Sequence, residues 1–205
     1  MQTSFNGDGS MSDRLEMIRA FAAGYTPDGN HDEQVMKNAL MLFDQLAPLH
    51  ALSGEERFLL QAAAILHDIG WSRPGGAHNK TGAQMVRADT SLPLERDERE
   101  IIAQLIRYHR KSTPSLKQRR FAELDQRGRE RVQKLASLLR IADGLDRSHQ
   151  SLIDTITATI KEREVILHCF SRSEGYLECN YAVGRSDLFT ALFSREVVID
   201  WRITP

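Results

Sequence analysis

The sequence has little cysteine, no excess of charge of either sign and no long apolar run. Its two cysteines, Cys169 and Cys179, form no CxxC pair, which argues against a structural zinc site or a disulfide framework and favours a reducing environment. The 27 basic and 28 acidic residues almost cancel, so no net field favours nucleic acid or a membrane surface as a partner. No apolar run is long enough to span a membrane, and the polar N-terminus lacks the regions of a signal peptide. We therefore expect a cytoplasmic protein that binds neither nucleic acid nor membranes.

Helical periodicity dominates the first two-thirds of the chain. Apolar residues recur every three or four positions, and glycine or proline follows most of these segments. Asn30 and Ser53 each precede a glutamate by three residues, the spacing of a capping box. The predicted helices run from about Leu15 to Gly24, Asn30 to Pro48, Ser53 to Gly70, Thr81 to Ala88, Arg96 to Arg110 and Arg129 to Arg147. We interpret residues 13–150 as a helical domain that follows a disordered N-terminus, residues 1–12, and WSRPGGAHNKTG as a loop.

From about residue 151 the apolar pattern changes to alternation typical of strands. The runs LIDTITATI, EVILHCF and EVVIDWRI are rich in β-branched residues, and the polar KER between the first two predicts a hairpin turn. A single predicted helix separates the second strand from the third; its apolar residues are Leu177, Tyr181, Leu188 and Leu192. The expected fold class is therefore mainly α, with a small β-β-α-β appendage over residues 151–205. Open sheet edges in the appendage would allow two copies to pair, so a homodimer is one possibility.

Four ionisable residues lie on helix faces that are otherwise apolar. Each is four or seven positions from apolar neighbours, and they are His31, His67, His109 and Asp143. A lone histidine on such a face is more often a satisfied core residue. An unpaired buried carboxylate is costly, however, and several buried imidazoles together are uncommon. A bound divalent cation would account for all four, and nitrogen and oxygen donors suit Mn, Fe, Mg or Zn.

The order of these residues resembles a known family. His31, then His67-Asp68, then Asp143 resembles the H…HD…D pattern of the HD superfamily. The words AAAILHDIGW, IAQLIRYHRKSTP and LASLLRIADGLDRSH are similar to the C-terminal HD domain of the exopolyphosphatase/guanosine pentaphosphate phosphohydrolase (Ppx/GppA) family. The resemblance covers about residues 14–200 and implies an HD-domain helical bundle.

The resemblance also implies a set of metal ligands. At the matching positions these are His31, His67, Asp68 and Asp143. Some HD phosphohydrolases add two histidines between the HD pair and the last aspartate and so hold a second metal; here that interval contains His78 and His109. The family often has an HHKHS-like loop where this chain has HNKTG, which leaves His78 either as a ligand or as an exposed loop residue. The catalytic domains that precede this domain in the full-length family have no counterpart in the sequence, so their action on polyphosphate is not carried over.

Five basic residues adjoin these candidates in sequence and are expected to contact phosphate: Lys80, Arg110, Lys111, Arg140 and Arg147. Arg140 and Arg147 share the helix face of Asp143, and a guanidinium is well matched to phosphate oxygens. The alternative is that these residues form ordinary surface ion pairs, with Arg147 bonded to Asp143 or Asp146.

The implied chemistry is hydrolysis by a metal-activated water, with one or two cations that also polarise a phosphoryl oxygen. His67 and Asp68 are the expected catalytic residues, and Asp68 could either bind metal or orient the water. We expect Asp146 to lie just outside the ligands or against the appendage. The remaining histidines are predicted to be structural or to lie in loops: His50, His149 and His168.

Three functions remain open from the sequence. The preferred one is a phosphohydrolase that acts on a phosphate ester or anhydride in a nucleotide-like or polyphosphate-related molecule. The second is a non-catalytic module that binds polyphosphate or a guanosine alarmone. The third is an interaction protein with a purely structural metal site, in which the appendage contacts a partner.

Overall fold

The computed structural model describes residues 10–26 and 29–204. Within these ranges the chain forms a helical body followed by a three-stranded sheet with two short helices, which confirms the expected fold class. The helices of the body are α1 (Met11–Ala23), α2 (Asn30–Gln45), α3 (Ala47–His50), α4 (Gly54–Leu66), α5 (His78–Ala88), α6 (Arg96–Tyr108), α7 (Arg119–Ala122) and α8 (Gln126–Gly144). The appendage contains β1 (Ile153–Ile160), β2 (Glu164–Ser171), α9 (Tyr176–Gly184), α10 (Asp187–Phe193) and β3 (Glu196–Ile203). In the described part of the chain, no helix is both long enough and apolar enough to cross a membrane.

The central element of the body is α4, which contacts α1, α2, α6 and α8. Nine of its thirteen residues are buried, so it is apolar on nearly all sides, as expected for a helix enclosed by others. Alanines at 62–64 allow the neighbouring helices to approach closely, and all three are fully buried. Because α4 runs through the interior, the His67-Asp68 pair at its C-terminal end lies inside the protein.

Three predictions about where helices begin can be compared with the structure. The Ser53 capping box is confirmed, since the Glu56 carboxylate accepts from the Ser53 backbone N–H at 2.9 Å. The capping box expected with Asn30 as N-cap is wrong: Gly29 is the N-cap, and Glu33 instead accepts from Arg19 of α1 at 2.6 Å. Helix α1 begins at Met11, inside the segment predicted to be disordered, and residues 1–9 lie outside the described residues.

The predicted loop after α4 is shorter than expected. A 3-10 turn covers Ile69–Ser72, and α5 begins at His78 instead of residue 81. The cause is a close crossing at Gly70, where a Cβ atom would collide with the backbone of His78 and Gly82. This packing stabilises an extra turn of α5 and brings His78 against the HD pair.

The appendage differs from the predicted β-β-α-β order because two helices, α9 and α10, connect β2 to β3. The helix is interrupted at Arg185 and Ser186, and the side chain of Arg185 donates to Asp143 in the helical body. The β1–β2 hairpin is antiparallel, as expected, whereas β2 and β3 are parallel and need a crossover of this kind. The sheet packs on α2 through β1, while α9 and α10 pack on α8.

Candidate metal centre

His67 and His109 are oriented by the same local device. Each follows the last residue of a helix, α4 or α6, and its ring Nδ1 bonds a backbone carbonyl three residues earlier, Ala64 O or Ile106 O, at 2.7 Å. Carbonyls in the last turn of a helix lack intrahelical partners, so they accept this proton readily. The bond assigns the hydrogen to Nδ1 and leaves Nε2 as a lone-pair donor. This is the arrangement commonly found for metal-bound histidine.

His31 projects from the first turn of α2 toward the same point. Its Nδ1 bonds Asp146 Oδ2 at 2.8 Å, and its Nε2 lies 3.6 Å from Asp143 Oδ1 and 4.0 Å from Asp68 Oδ2. Asp146 therefore orients His31 from outside the cluster, as predicted, and its second oxygen accepts from Ser151 N just before β1. The ring of His149 stacks on His31 with centroids 3.7 Å apart.

The Asp68 carboxylate lies between two groups of histidines. Its Oδ2 is 3.6 Å from His67 Nε2, and its Oδ1 is 3.5 Å from His78 Nε2 and 3.6 Å from His109 Nε2. Donors that surround one cation at about 2.0–2.2 Å lie roughly 3–4.4 Å from one another. Two overlapping triplets of donor atoms come within 4.8 Å: His31, His67 and Asp143, and His67, Asp68 and His109. These spacings fit one or two divalent cations.

Three of these donors are buried without a hydrogen-bond partner: His31 Nε2, His67 Nε2 and Asp68 Oδ1. An unpaired buried polar atom costs about 1–3 kcal/mol, and such atoms are rare in folded proteins. A cation would bind all three, since they are directed to one small volume and metal binding displaces protons from its ligands. The nitrogen and oxygen donors suit Mn, Fe or Zn, and Mg less well.

The electrostatics of the cluster favour positive charge near Asp143. Burial, with the nearby His67, lowers the pKa of His109 to about 3, so this ring is neutral and its lone pair is available. Burial also opposes protonation of His31, but contacts with Asp143 and Asp146 outweigh it and raise the pKa to about 9. Burial would raise the pKa of Asp143 as well, yet His31 and Arg185 hold it well below its usual range. In the metal-free protein, a proton on His31 thus supplies charge that a cation would otherwise bring.

The structure brings together all six residues predicted as metal ligands. The alternative of an exposed loop position for His78 is wrong, because this residue is the first of α5 and is buried. The Trp71 indole stacks on its ring with centroids 4.1 Å apart, and Trp71 itself is 61% exposed. Metal binding by these residues stays a prediction.

The predicted phosphate contacts lie in different settings. Arg110 Nε is 3.9 Å from Asp143 Oδ2, at the cluster itself, and the Arg147 guanidinium lies 4.8 Å above the Tyr181 ring. Arg140 is buried and donates to Tyr108 O at 3.2 Å and to the carboxylate of Asp187 on α10 at 2.8 Å. It therefore links α8 to α6 and α10. The two lysines are exposed: Lys80 and Lys111.

Sequence reasoning missed two residues of the centre. Asp32 is buried with Oδ1 3.5 Å from His67 Nδ1, and the signal for it was a second His-Asp dipeptide at His31. Arg185, between α9 and α10, donates to Asp143 Oδ2. No local pattern identifies Arg185, because its contact depends on how the appendage packs on α8. Of the histidines predicted to be structural, His50 is buried and bonds Phe43 O at 2.8 Å, and His168 bonds Asp200 on the sheet at 2.6 Å.

Comparison with known proteins agrees with the motifs. The family model described as Ppx/GppA phosphatase, domain III, matches residues 14–189, from α1 into α10. Among proteins with curated descriptions, none matches this chain. The buried histidine and aspartate cluster accords with the divalent metal that this phosphatase family implies. Since the match covers most of the sequence, the chain belongs to the Ppx/GppA phosphatase domain III family.

Proposed function

We propose that this protein is a metal-dependent phosphohydrolase that acts on a phosphate ester or anhydride. The observation that carries the proposal is that two unpartnered, buried imidazole nitrogens, His31 Nε2 and His67 Nε2, both lie within 4.0 Å of the carboxylates of Asp68 and Asp143. His31, His67, Asp68 and Asp143 would hold the first cation, and His78 and His109 would add a second beside Asp68. When bound, such cations supply hydroxide near neutral pH and withdraw charge from a phosphoryl oxygen.

The protein's own residues have defined tasks in this proposal. Asp146 and the Ala64 carbonyl fix the rings of His31 and His67, so their Nε2 atoms need no reorientation before a cation binds. Burial keeps bulk water from competing for these donors, since His67 is fully enclosed and His31 is nearly so. Among the basic residues predicted to contact phosphate, Arg110 lies nearest to the cluster, beside Asp143, and would bind a phosphoryl oxygen of the substrate.

The substrate class that fits is a small molecule with a phosphate group that extends into a buried centre. Nucleotide-like and polyphosphate-related compounds both meet this condition. A non-catalytic binding module would use the same arginines and the same cations. Affinity for such compounds without any turnover would favour that alternative.

The test combines metal content with turnover. Untagged protein purified without chelator should contain about one or two equivalents of Mn, Fe or Zn by mass spectrometry, and it should release phosphate from a panel of nucleotides and polyphosphate. His67→Ala and Asp68→Asn should lower both metal content and turnover, the latter by about a hundredfold or more. His168→Ala is the matched control, because this histidine lies on the sheet and pairs with Asp200. Full turnover in folded His67→Ala protein would contradict the proposal.

A further inference from the structure

Four arginines from three segments of the chain lie near one another, and two of them, Arg110 and Arg185, contact Asp143. Arg110 follows α6, Arg140 and Arg147 belong to the end of α8 and the turn after it, and Arg185 comes from the appendage. Arg185 donates to Asp143 Oδ2, and its side chain is only 12% exposed. The cluster therefore unites the helical body and the appendage around one carboxylate.

Carboxylates do not balance this positive charge. Arg140 has Asp187 as its partner, but Arg110 and Arg185 share the single carboxylate of Asp143. The guanidinium of Arg147 lies over the face of an aromatic ring. Arg185 is largely buried, and its charge is repelled by the three other arginines nearby. Like charges held this close in a partly buried place favour binding of an anion.

The fold fixes Arg185 in this position. Gly144, the last residue of α8, faces the backbone of α9, and a Cβ atom there would lie 2.7 Å from Ala182 Cα. The absence of a side chain lets α9 approach α8 at backbone distance, one residue after Asp143. Arg185 follows directly at the end of α9, so its reach to Asp143 does not depend on a flexible loop.

Metal binding would remove the partner of Arg185. Asp143 is one of the proposed metal ligands, and a carboxylate bonded to a cation is a much weaker partner for a guanidinium. Arg185 and Arg110 would then lack a negative partner beside the reacting phosphate. An oxygen of that phosphate can replace the carboxylate with the same charge-assisted geometry.

We propose that Arg185 is a phosphate-binding residue of this centre, which exchanges Asp143 for a phosphate oxygen of the substrate when metal is bound. The inference rests on the proposed function and adds the appendage to the substrate site. Arg185 and the cation compete for Asp143, whereas Arg185 and the cation cooperate in binding phosphate.

The experiment measures two affinities on the full chain, with manganese(II) alone and with inorganic phosphate on the manganese-loaded protein. Arg185→Gln should weaken phosphate binding about tenfold or more, because a hydrogen bond to a charged group contributes at least that factor. The same variant should bind manganese as tightly as the wild type or several-fold more tightly, since a competing cation is gone. Arg185→Lys keeps the charge without the planar fork and should recover part of the phosphate affinity.

Arg172→Gln is the matched control. It removes the same charge from the appendage, but its side chain is 83% exposed and lies near Asp154, so neither affinity should change. If Arg185 only held the appendage in place, Arg185→Gln would lower the free energy of unfolding without weakening phosphate binding while it preserves or strengthens manganese binding. Unaltered phosphate affinity in manganese-loaded Arg185→Gln would overturn this inference and leave the proposed function intact. Wild-type protein that binds no manganese would overturn both.

Discussion

The contact between α8 and α9 gives a quantitative test of how the appendage is held. A Cβ atom added to Gly144 would lie 2.7 Å from Ala182 Cα and 2.8 Å from Ala182 N. Carbon atoms pack best at about 3.5–4.0 Å. Gly144→Ala must therefore move α9 away from α8 by roughly 1 Å. Overpacking of this kind costs about 1–3 kcal/mol, and the better helix propensity of alanine returns at most about 1 kcal/mol. We expect a net loss of about 1–2 kcal/mol.

A matched control lies one helix further along the chain. Gly184 is the last residue of α9, as Gly144 is of α8, but no atom lies within 4 Å of a Cβ placed there. Gly184→Ala should therefore be neutral or stabilising by up to about 1 kcal/mol. Urea unfolding followed by circular dichroism compares the free energies of unfolding of the two variants. In thermal unfolding, the loss expected for Gly144→Ala corresponds to a Tm lower by about 3–6 °C. Equal stability of the two variants would refute the close approach of α8 and α9.

Two further outcomes follow from histidines in different settings. Burial lowers the pKa of His50, whose Nδ1 accepts from Leu52 N at 2.9 Å, so the unfolded chain binds more protons below about pH 6.5 and stability is lost as the pH falls from 7 toward 5. His50→Gln should flatten this part of the stability profile measured by urea unfolding, and an unchanged slope would contradict the assignment. Trp71 stacks on His78, so Zn²⁺ titrated into metal-free protein should change its fluorescence if His78 binds metal. Trp71→Phe should abolish the fluorescence change while Trp201 still emits. A change that persists in this variant would mean that zinc binds away from His78.

The part of the centre that depends on helix faces was predictable from the sequence. His67, His109 and Asp143 continue apolar stripes, and a stripe determines which side of a helix faces the interior. The burial of these residues follows from the same periodicity that predicts the helices. The fold class was predictable for a related reason, because the apolar period changes at about residue 151.

The parts that depend on contacts between elements were not predictable. The start of α5 at His78 results from its crossing with Gly70, which no local pattern encodes. The break between α9 and α10 lies within the apolar run that predicted one helix, and Arg185 at this break bonds a residue of α8. Asn30 also failed as an N-cap, because Glu33 bonds Arg19 of another helix.

The candidate ligands are distributed along the chain from α2 to α8, with no two helices adjacent in sequence supplying a complete set. During synthesis, His31, His67 and Asp68 emerge well before Asp143, and the early part of the chain offers no thiolates that would retain a metal. Small zinc domains fold around their metal, whereas this arrangement acquires its full set of donors only after α8 packs against α2 and α4. A cation that needs the full set would therefore bind completed molecules, and metal supply would act on finished protein and not on its assembly.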